Sequence, residues 1–254
     1  MKIIVNADDL GASLEVNDSI FRLMATGRVT SATLLANGAV LADAAERSKQ
    51  FPQCSFGVHL NASEWQPLTR DAGLRPILDE TGCFAGNRLR EVKITRALRA
   101  AVFREWSAQV ERVQMAGVRI SHLDSHHHMH TVPGMFAVVK EVQRRFGIRK
   151  VRQTMNIYPP DAPASRRLLI GKALWSYAMR RYFATTTTDA FTSLEIFHRA
   201  ATTLKRYFTV VELMVHPGGK GYVAETALLT REWWRDVPFP IQMMSYNELS
   251  RASA

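Results

Sequence analysis

The chain has 254 residues, 46% of them hydrophobic and 22% charged, the mixture of a globular protein large enough to bury a core without disulfides. That composition excludes a disordered, fibrous or disulfide-stapled chain, and the two cysteines, Cys54 and Cys83, have neither metal-type nor redox-type spacing. A formal net charge of +10 favours anionic contacts, yet no zinc-finger, aromatic RNA-binding or helix-turn-helix pattern accompanies it, so nucleic acid is not an expected partner.

Lys2 is followed directly by Ile3-Ile4-Val5, and Asn6-Ala7-Asp8-Asp9 ends that apolar run after three residues. A secretory leader is therefore not expected, no run approaches the length of a membrane span, and the expected location is the cytoplasm. A helix is expected from about Leu14, with Ser13 as its N-cap and Gly27 as its stop. Strand-like runs follow at Thr30 to Leu35 and at Phe56-Gly57-Val58. Ile94, Leu98, Val102, Trp106, Val110 and Val113 recur at helical spacing and predict a long amphipathic helix that closes at Gly117. A strand is expected over Val118 to Leu123, then a helix opening near Pro133 and stopping before Gly147. Later strand candidates are Lys150 to Gln153, Val210 to Val215 and Ile241 to Met244.

About seven such βα units predict an α/β fold, an irregular (β/α) TIM-like barrel in a single domain. Two segments fall outside the repeat. Residues 61–88 are rich in turn formers and too long for a plain connection, so they are expected to shape a binding site. Residues 161–188 combine Arg166-Arg167, Leu168-Leu169-Ile170, Trp175, Tyr177 and Arg180-Arg181, a basic amphipathic helix followed by a Thr-rich loop. Its expected role is a core-packing helix with a solvated basic face, a lid or membrane-surface role being the alternative.

Polar residues gather where strands are expected to end: Asp8-Asp9, His59, Asp124 to His130, and His216. In a parallel barrel all strand C-termini face one side, which carries the active site. Two adjacent carboxylates there are costly unless positive charge lies beside them, and one can bind a metal while the other accepts a proton from water. Five histidines in the nine residues His122 to His130 suit neither a core nor a surface, and neutral imidazole is a good ligand for divalent transition metals. One ligand is expected from this run, with the others positioning substrate or supporting the ligands. His59 and His216 are candidates to join the site, whereas His198, beside Phe197 and Ala200, reads as structural.

Five motifs carry a resemblance: Val5-Asn6-Ala7-Asp8-Asp9-Leu10-Gly11, Gly27 to Thr33, Gly57-Val58-His59-Leu60, His122 to His130, and Glu212 to Gly218. In them the chain resembles the YdjC-like carbohydrate deacetylases, with Leu10 where the family usually has Phe and Asn61 to Trp65 replacing a more apolar stretch. The resemblance implies hydrolysis of an N-acetylated amino sugar, with one divalent metal ion held by Asp9, His59 and His126 and with Asp8 as catalytic base. His216 is the expected general acid, His128 being the alternative, and His128, His130 and Arg152 are expected to bind substrate. The ion could be zinc, magnesium, cobalt or nickel, with two nitrogen donors favouring a transition metal. A facial-triad iron oxygenase, in which His122-x-Asp124 would supply half the triad, sits poorly on a scaffold of alternating strands and helices. A non-catalytic metal-dependent glycan or membrane-surface binder would not need both Asp8 and Asp9. The expected substrate is an N-acetylated sugar, on an anionic or lipid-linked carrier if the basic helix takes part; peripheral membrane contact and homo-oligomerisation stay open.

Overall fold

The computed structural model describes residues 1–159, 161–204 and 208–250. In chain order it contains β1 (Lys2–Leu10), α1 (Leu14–Ala25), β2 (Ser31–Leu34), α2 (Leu41–Ser48), β3 (Ser55–Leu60), α3 (Arg88–Glu91), α4 (Arg96–Met115) and β4 (Ile120–Ser125). There follow α5 (Phe136–Phe146), α6 (Arg166–Arg181), β5 (Ala190–Ser193), α7 (Leu194–Ala200), β6 (Val210–Val215), α8 (Val223–Thr230) and β7 (Gln242–Met243).

All strand pairs are parallel, in the order β4-β3-β2-β1-β6-β5, and β7 pairs with β1 at Lys2 and Ile3, below the point where β2 begins. The sheet curls into a partial barrel wrapped by helices, as the alternation of apolar runs and amphipathic stretches predicts. β1 is buried on both faces, as a central parallel strand must be. Between β4 and β5 the wall is thin. The expected strand Lys150 to Gln153 forms only single bridges, Leu123 with Val151 and Lys150 with Thr186, and Asn156 bridges Phe191 of β5.

Local chemistry sets the element ends. Ser13 accepts a hydrogen bond from Val16 N and Thr95 one from Leu98 N, capping α1 and α4. Gly27 and Gly117 follow the two helices in the left-handed region that ends them. The inner face of α4 buries Leu98, Val102, Trp106, Val110 and Val113, and also Glu105 and Gln109. Those two polar residues anchor segment 61–88: Glu105 accepts from Leu68 N at 2.9 Å and Thr69 N at 2.8 Å, while Gln109 pairs with Asn61 N and O.

The amphipathic helix of segment 161–188 departs from expectation. α6 buries only Ser176 and Met179, whereas Ile170, Leu174 and Tyr177 face solvent. The helix has two apolar edges, and composition does not tell which of them meets the barrel. His198 pairs with Asp236 at 3.1 Å on the surface, in keeping with a structural role.

The β3–β4 spacing is set by Gly57. A Cβ there would lie 2.7 Å from both the His122 carbonyl oxygen and its ring. Gly57→Ala is therefore expected to push β3 from β4 and to lower stability by about 1–3 kcal/mol, the usual cost of overpacking. Urea denaturation measures it, and an unchanged midpoint would show that β3 has slack.

Candidate metal centre

The first strand carries a bulge at its functional end. β1 pairs Ala7 with Ala32 and then Leu10 with Leu34, so three steps of β1 match two of β2, and Asp9 has φ +65°. A regular strand would send Asp8 and Asp9 to opposite faces; the extra residue turns both toward one point. Asp9 Oδ1 and Asp8 Oδ2 lie 3.4 and 4.0 Å from His59 Nε2.

β3 and β4 are in register at His59 and Asp124, which places His59 Nδ1 2.7 Å from Asp124 Oδ1. Thr33 on β2 donates to Asp124 Oδ2 at 3.0 Å. With Nδ1–H held by Asp124, the Nε2 lone pair of His59 faces Asp9. His126, the first residue after β4, brings its Nδ1 2.9 Å from Asp9 Oδ1. Its Nε2 lies 3.3 Å from Glu64 Oε2 in segment 61–88, and Trp65 of the same segment lies against its ring. The far nitrogen of His59 is thus hydrogen-bonded to a carboxylate, whereas that of His126 lies near one without a hydrogen bond.

Beyond β4 the histidine run leaves the extended conformation. His126–Thr131 form a tight turn in which His127 and His128 have φ of 50° and 55°. Two consecutive non-glycine residues in the left-handed region are strained, and Arg90 holds them by donating to the carbonyls of His127 at 2.6 Å and His128 at 3.3 Å. The turn carries His128 and His130 away from the Asp9 cluster onto the wall of a 740 Å³ cavity. Phe191, Arg167, Lys172 and Trp175 complete much of that wall. His130 Nδ1 bonds Ser125 Oγ at 2.6 Å, and its buried Nε2 has no hydrogen-bond partner.

Arg152 stands below the pocket, not on its wall. It is fully buried, gripping Asp8 through two nitrogens at 2.6 and 2.7 Å, with Asp124 at 2.9 Å and Glu212 at 2.8 Å. All of these contacts turn the guanidinium toward buried carboxylates, and Arg152 is not among the residues that line the cavity. Although burial opposes it, the Arg152 charge holds the Asp8 carboxyl far below the usual carboxylate range.

His216, just past β6, has its Nε2 4.0 Å from Asp8 Oδ2, and Tyr222 stacks on its ring. Burial acts to lower its pKa, but the Glu225 and Asp8 carboxylates outweigh that and raise it. His128 moves the other way, to about 3, through burial and the Arg152 charge. Of the groups around the site, Glu64, Glu225 and Arg90 have no motif of their own, and the place of Asp124 inside the histidine run is the one sequence signal for its role.

The donors fit a divalent ion. One atom each of Asp9, His59 and His126 lies within 4.8 Å of the others, and buried Asp9 Oδ1 has no hydrogen-bond partner. Burial lowers the pKa of His59, yet Asp124, Asp8 and Asp9 raise it to about 9, a measure of how strongly the cluster draws positive charge. Two further groups, Asp8–His59–Asp124 and Glu64–His126–His127, are also close enough to ligate. In the first, Asp8 and Asp124 are already held by Arg152, and in the second Glu64 and His127 are half exposed.

The YdjC-like protein family model matches residues 2–238. The chain belongs to this family. It is 31% identical over 218 residues to a carbohydrate deacetylase of Vibrio cholerae serotype O1, covering 85% of this chain and 78% of the relative. A carbohydrate deacetylase of Geobacillus stearothermophilus is 36% identical over 167 residues, covering 62% and 66%. Among solved structures, a protein of Enterococcus faecalis V583, provisionally described as a cellobiose-phosphate cleavage protein, superposes with a TM-score of 0.74 over 98% of this chain and 99% of its own. At 23% identity it shares the fold.

Asp9→Asn and His126→Ala are expected to abolish stoichiometric binding of zinc or cobalt, measured by calorimetry on the refolded apoprotein. Asp124→Asn, which leaves the ligands in place, is expected to weaken binding about 10–100-fold, as loss of a supporting carboxylate does. Full occupancy in His126→Ala would move the ligand role to His127 or His128.

Proposed function

We propose that this chain is a metal-dependent hydrolase that removes the acetyl group of an N-acetylated amino sugar and releases acetate. The observation that carries this reading is the β1 bulge, which turns Asp8 and Asp9 toward the same histidine. One carboxylate serves a ligand set and the other stays available for a proton. The carbohydrate deacetylase relatives supply the substrate class.

Asp9, His59 and His126 would hold the ion. When bound, a divalent ion acts as a Lewis acid toward the acetamide carbonyl and makes water a nucleophile near neutral pH. Asp8 accepts the proton of the attacking water; Arg152 and the Asn6 side chain, 2.9 Å away, fix it ionised and in one orientation. The nitrogen of the collapsing amide needs a proton, and His216, beside Asp8, supplies it. The Glu225 and Asp8 carboxylates raise its pKa and so favour the protonated form that this role needs, whereas burial and the Arg152 charge push His128 down to about 3. His128 and His130 carry the sugar into the cavity, where Trp175 offers an apolar face. Arg90, Arg167 and Lys172 on the same wall suit a sugar whose carrier bears phosphate or another anion.

Acetate release across N-acetylated sugars, free and phosphate-bearing, with several metals, tests the activity. Asp8→Asn is expected to keep metal and fold while losing about 10²-fold or more in turnover. If Asp8→Asn lost metal and Asp9→Asn kept it, the two roles would be exchanged. As pH rises through the His216 pKa the wild-type rate is expected to fall, since the acid is lost. His216→Asn should be slow throughout and lack that alkaline limb. A limb that persists in the variant would assign it to another group.

A further inference from the structure

Helix α6 turns an apolar stripe away from the barrel. Ile170, Leu174 and Tyr177, at spacings of four and three residues, are 61%, 65% and 68% exposed. They form one face of the helix. The opposite face buries Ser176 and Met179 and presents Lys172 and Trp175 to the cavity. Cations frame the stripe at both ends, Arg166 in the first turn and Arg181 in the last, while Arg167 lines the cavity and Arg180 donates to Thr187 Oγ1 and Thr188 O. The helix has no acidic residue. The acids nearest in sequence are turned elsewhere: Asp161 pairs with Arg199 at 2.9 Å. Asp189 accepts from Thr209 N and Val210 N, its other oxygen lying 3.9 Å from Arg180.

We propose that the outer face of α6 is a docking surface for an anionic lipid bilayer, on which the helix lies in the plane of the headgroups. Sixteen residues of helix span about 24 Å, enough for the stripe to sit at the acyl boundary while the arginines at each end reach phosphates. No helix among the described residues is long and apolar enough to cross a membrane, so the contact is peripheral. Charge selects this occupant. Two copies meeting through the outer face of α6 would set the Arg166 and Arg181 charges of each against those of the other with no acid in either helix, whereas an anionic bilayer complements them and the chain's net charge of +10. Because Lys172 and Trp175 line the cavity from the other side of the same helix, docking would bring the cavity beside the lipid surface. The proposal stands apart from the deacetylase reading, since vesicle binding requires neither metal nor sugar.

The test is co-sedimentation of the full chain with vesicles of phosphatidylcholine alone or mixed with phosphatidylglycerol, at low and high salt. Binding is expected only with phosphatidylglycerol, falling about tenfold or more as salt screens the arginines. Ile170→Ser with Leu174→Ser leaves the charge unchanged and touches neither cavity nor metal ligands. It is expected to lower binding about tenfold, with the thermal midpoint unchanged because both side chains are exposed. Arg166→Gln with Arg181→Gln should weaken binding and flatten its salt dependence. Three results overturn the proposal. One is no binding to anionic vesicles at low salt. Another is full binding by the serine pair, which would make the contact a nonspecific effect of net charge. The third is a concentration-dependent dimer in sedimentation velocity that the serine pair dissolves, which would assign the stripe to a second copy.

Discussion

The architecture of the site depends on one buried cation. Arg152 lies inside the barrel against Asp8, Asp124 and Glu212, all buried. Removing three carboxylates from water is expensive, and their attraction to a guanidinium offsets that only with close, hydrogen-bonded geometry. Each contact then propagates. Asp8 is held beneath the mouth, Asp124 is held to orient His59, and Glu212 passes to the Tyr246 hydroxyl at 2.5 Å. Tyr246 stacks on His122, whose Nε2 meets Asn6 Oδ1 at 3.1 Å, and Asn6 returns to Asp8. The loop is closed, so the floor of the site is rigid. Three carboxylates exceed one guanidinium, and burial in that excess raises Glu212 to about 7, against the pull of Arg152.

Above this floor the reactive groups sit on irregular backbone. Asp9 occupies the left-handed region at the β1 bulge, and His127 and His128 do so in the turn after β4. Each is disfavoured locally and is tolerated because regular structure surrounds it: six paired residues join β1 to β6, and Arg90 binds the carbonyls of the strained turn. The departures have chemical consequences. Without the bulge, Asp8 and Asp9 would face opposite sides of the sheet. Without the tight turn, His126, His128 and His130 would share one face instead of dividing between the metal cluster and the cavity.

The division between legible and illegible features follows from range. The Ser13 cap, the Gly27 and Gly117 stops and the α4 apolar stripe are local, and each stands where the sequence puts it. The gathering of Asp8, Asp9, His59, His126 and His216 was legible because parallel strands deliver their ends to one side. The bulge was not, since it arises from a mismatch of pairing between β1 and β2 that no residue of Asp8-Asp9-Leu10 announces. The depth of Arg152 was not legible. Its position follows from carboxylates 144, 28 and 60 residues away, on β1, β4 and β6. β5, only four residues long, lacks a run long enough to separate from the Thr-rich stretch before it. For α6, the sequence gives two apolar edges, and only the packing of Met179 and Ser176 decides which is inside.

Segment 61–88 is anchored independently of the cluster that it meets. Its Ser63, Glu64 and Trp65 meet the His126–His127 end of the turn, with Ser63 Oγ 3.1 Å from His127 Nδ1. Yet the segment is fastened from the opposite direction, through Glu105 and Gln109 on the inner face of α4. Glu105 accepts from two backbone N–H groups and the Thr69 hydroxyl, bonds indifferent to the identity of most loop side chains. The loop can therefore exchange residues at its tip while its ends stay fixed. His59 does not share this freedom, because it is tied to Asp124 and through it to Arg152. The tip of the loop and the Asp9–His59–His126 cluster are in this way separately anchored parts of one barrel end.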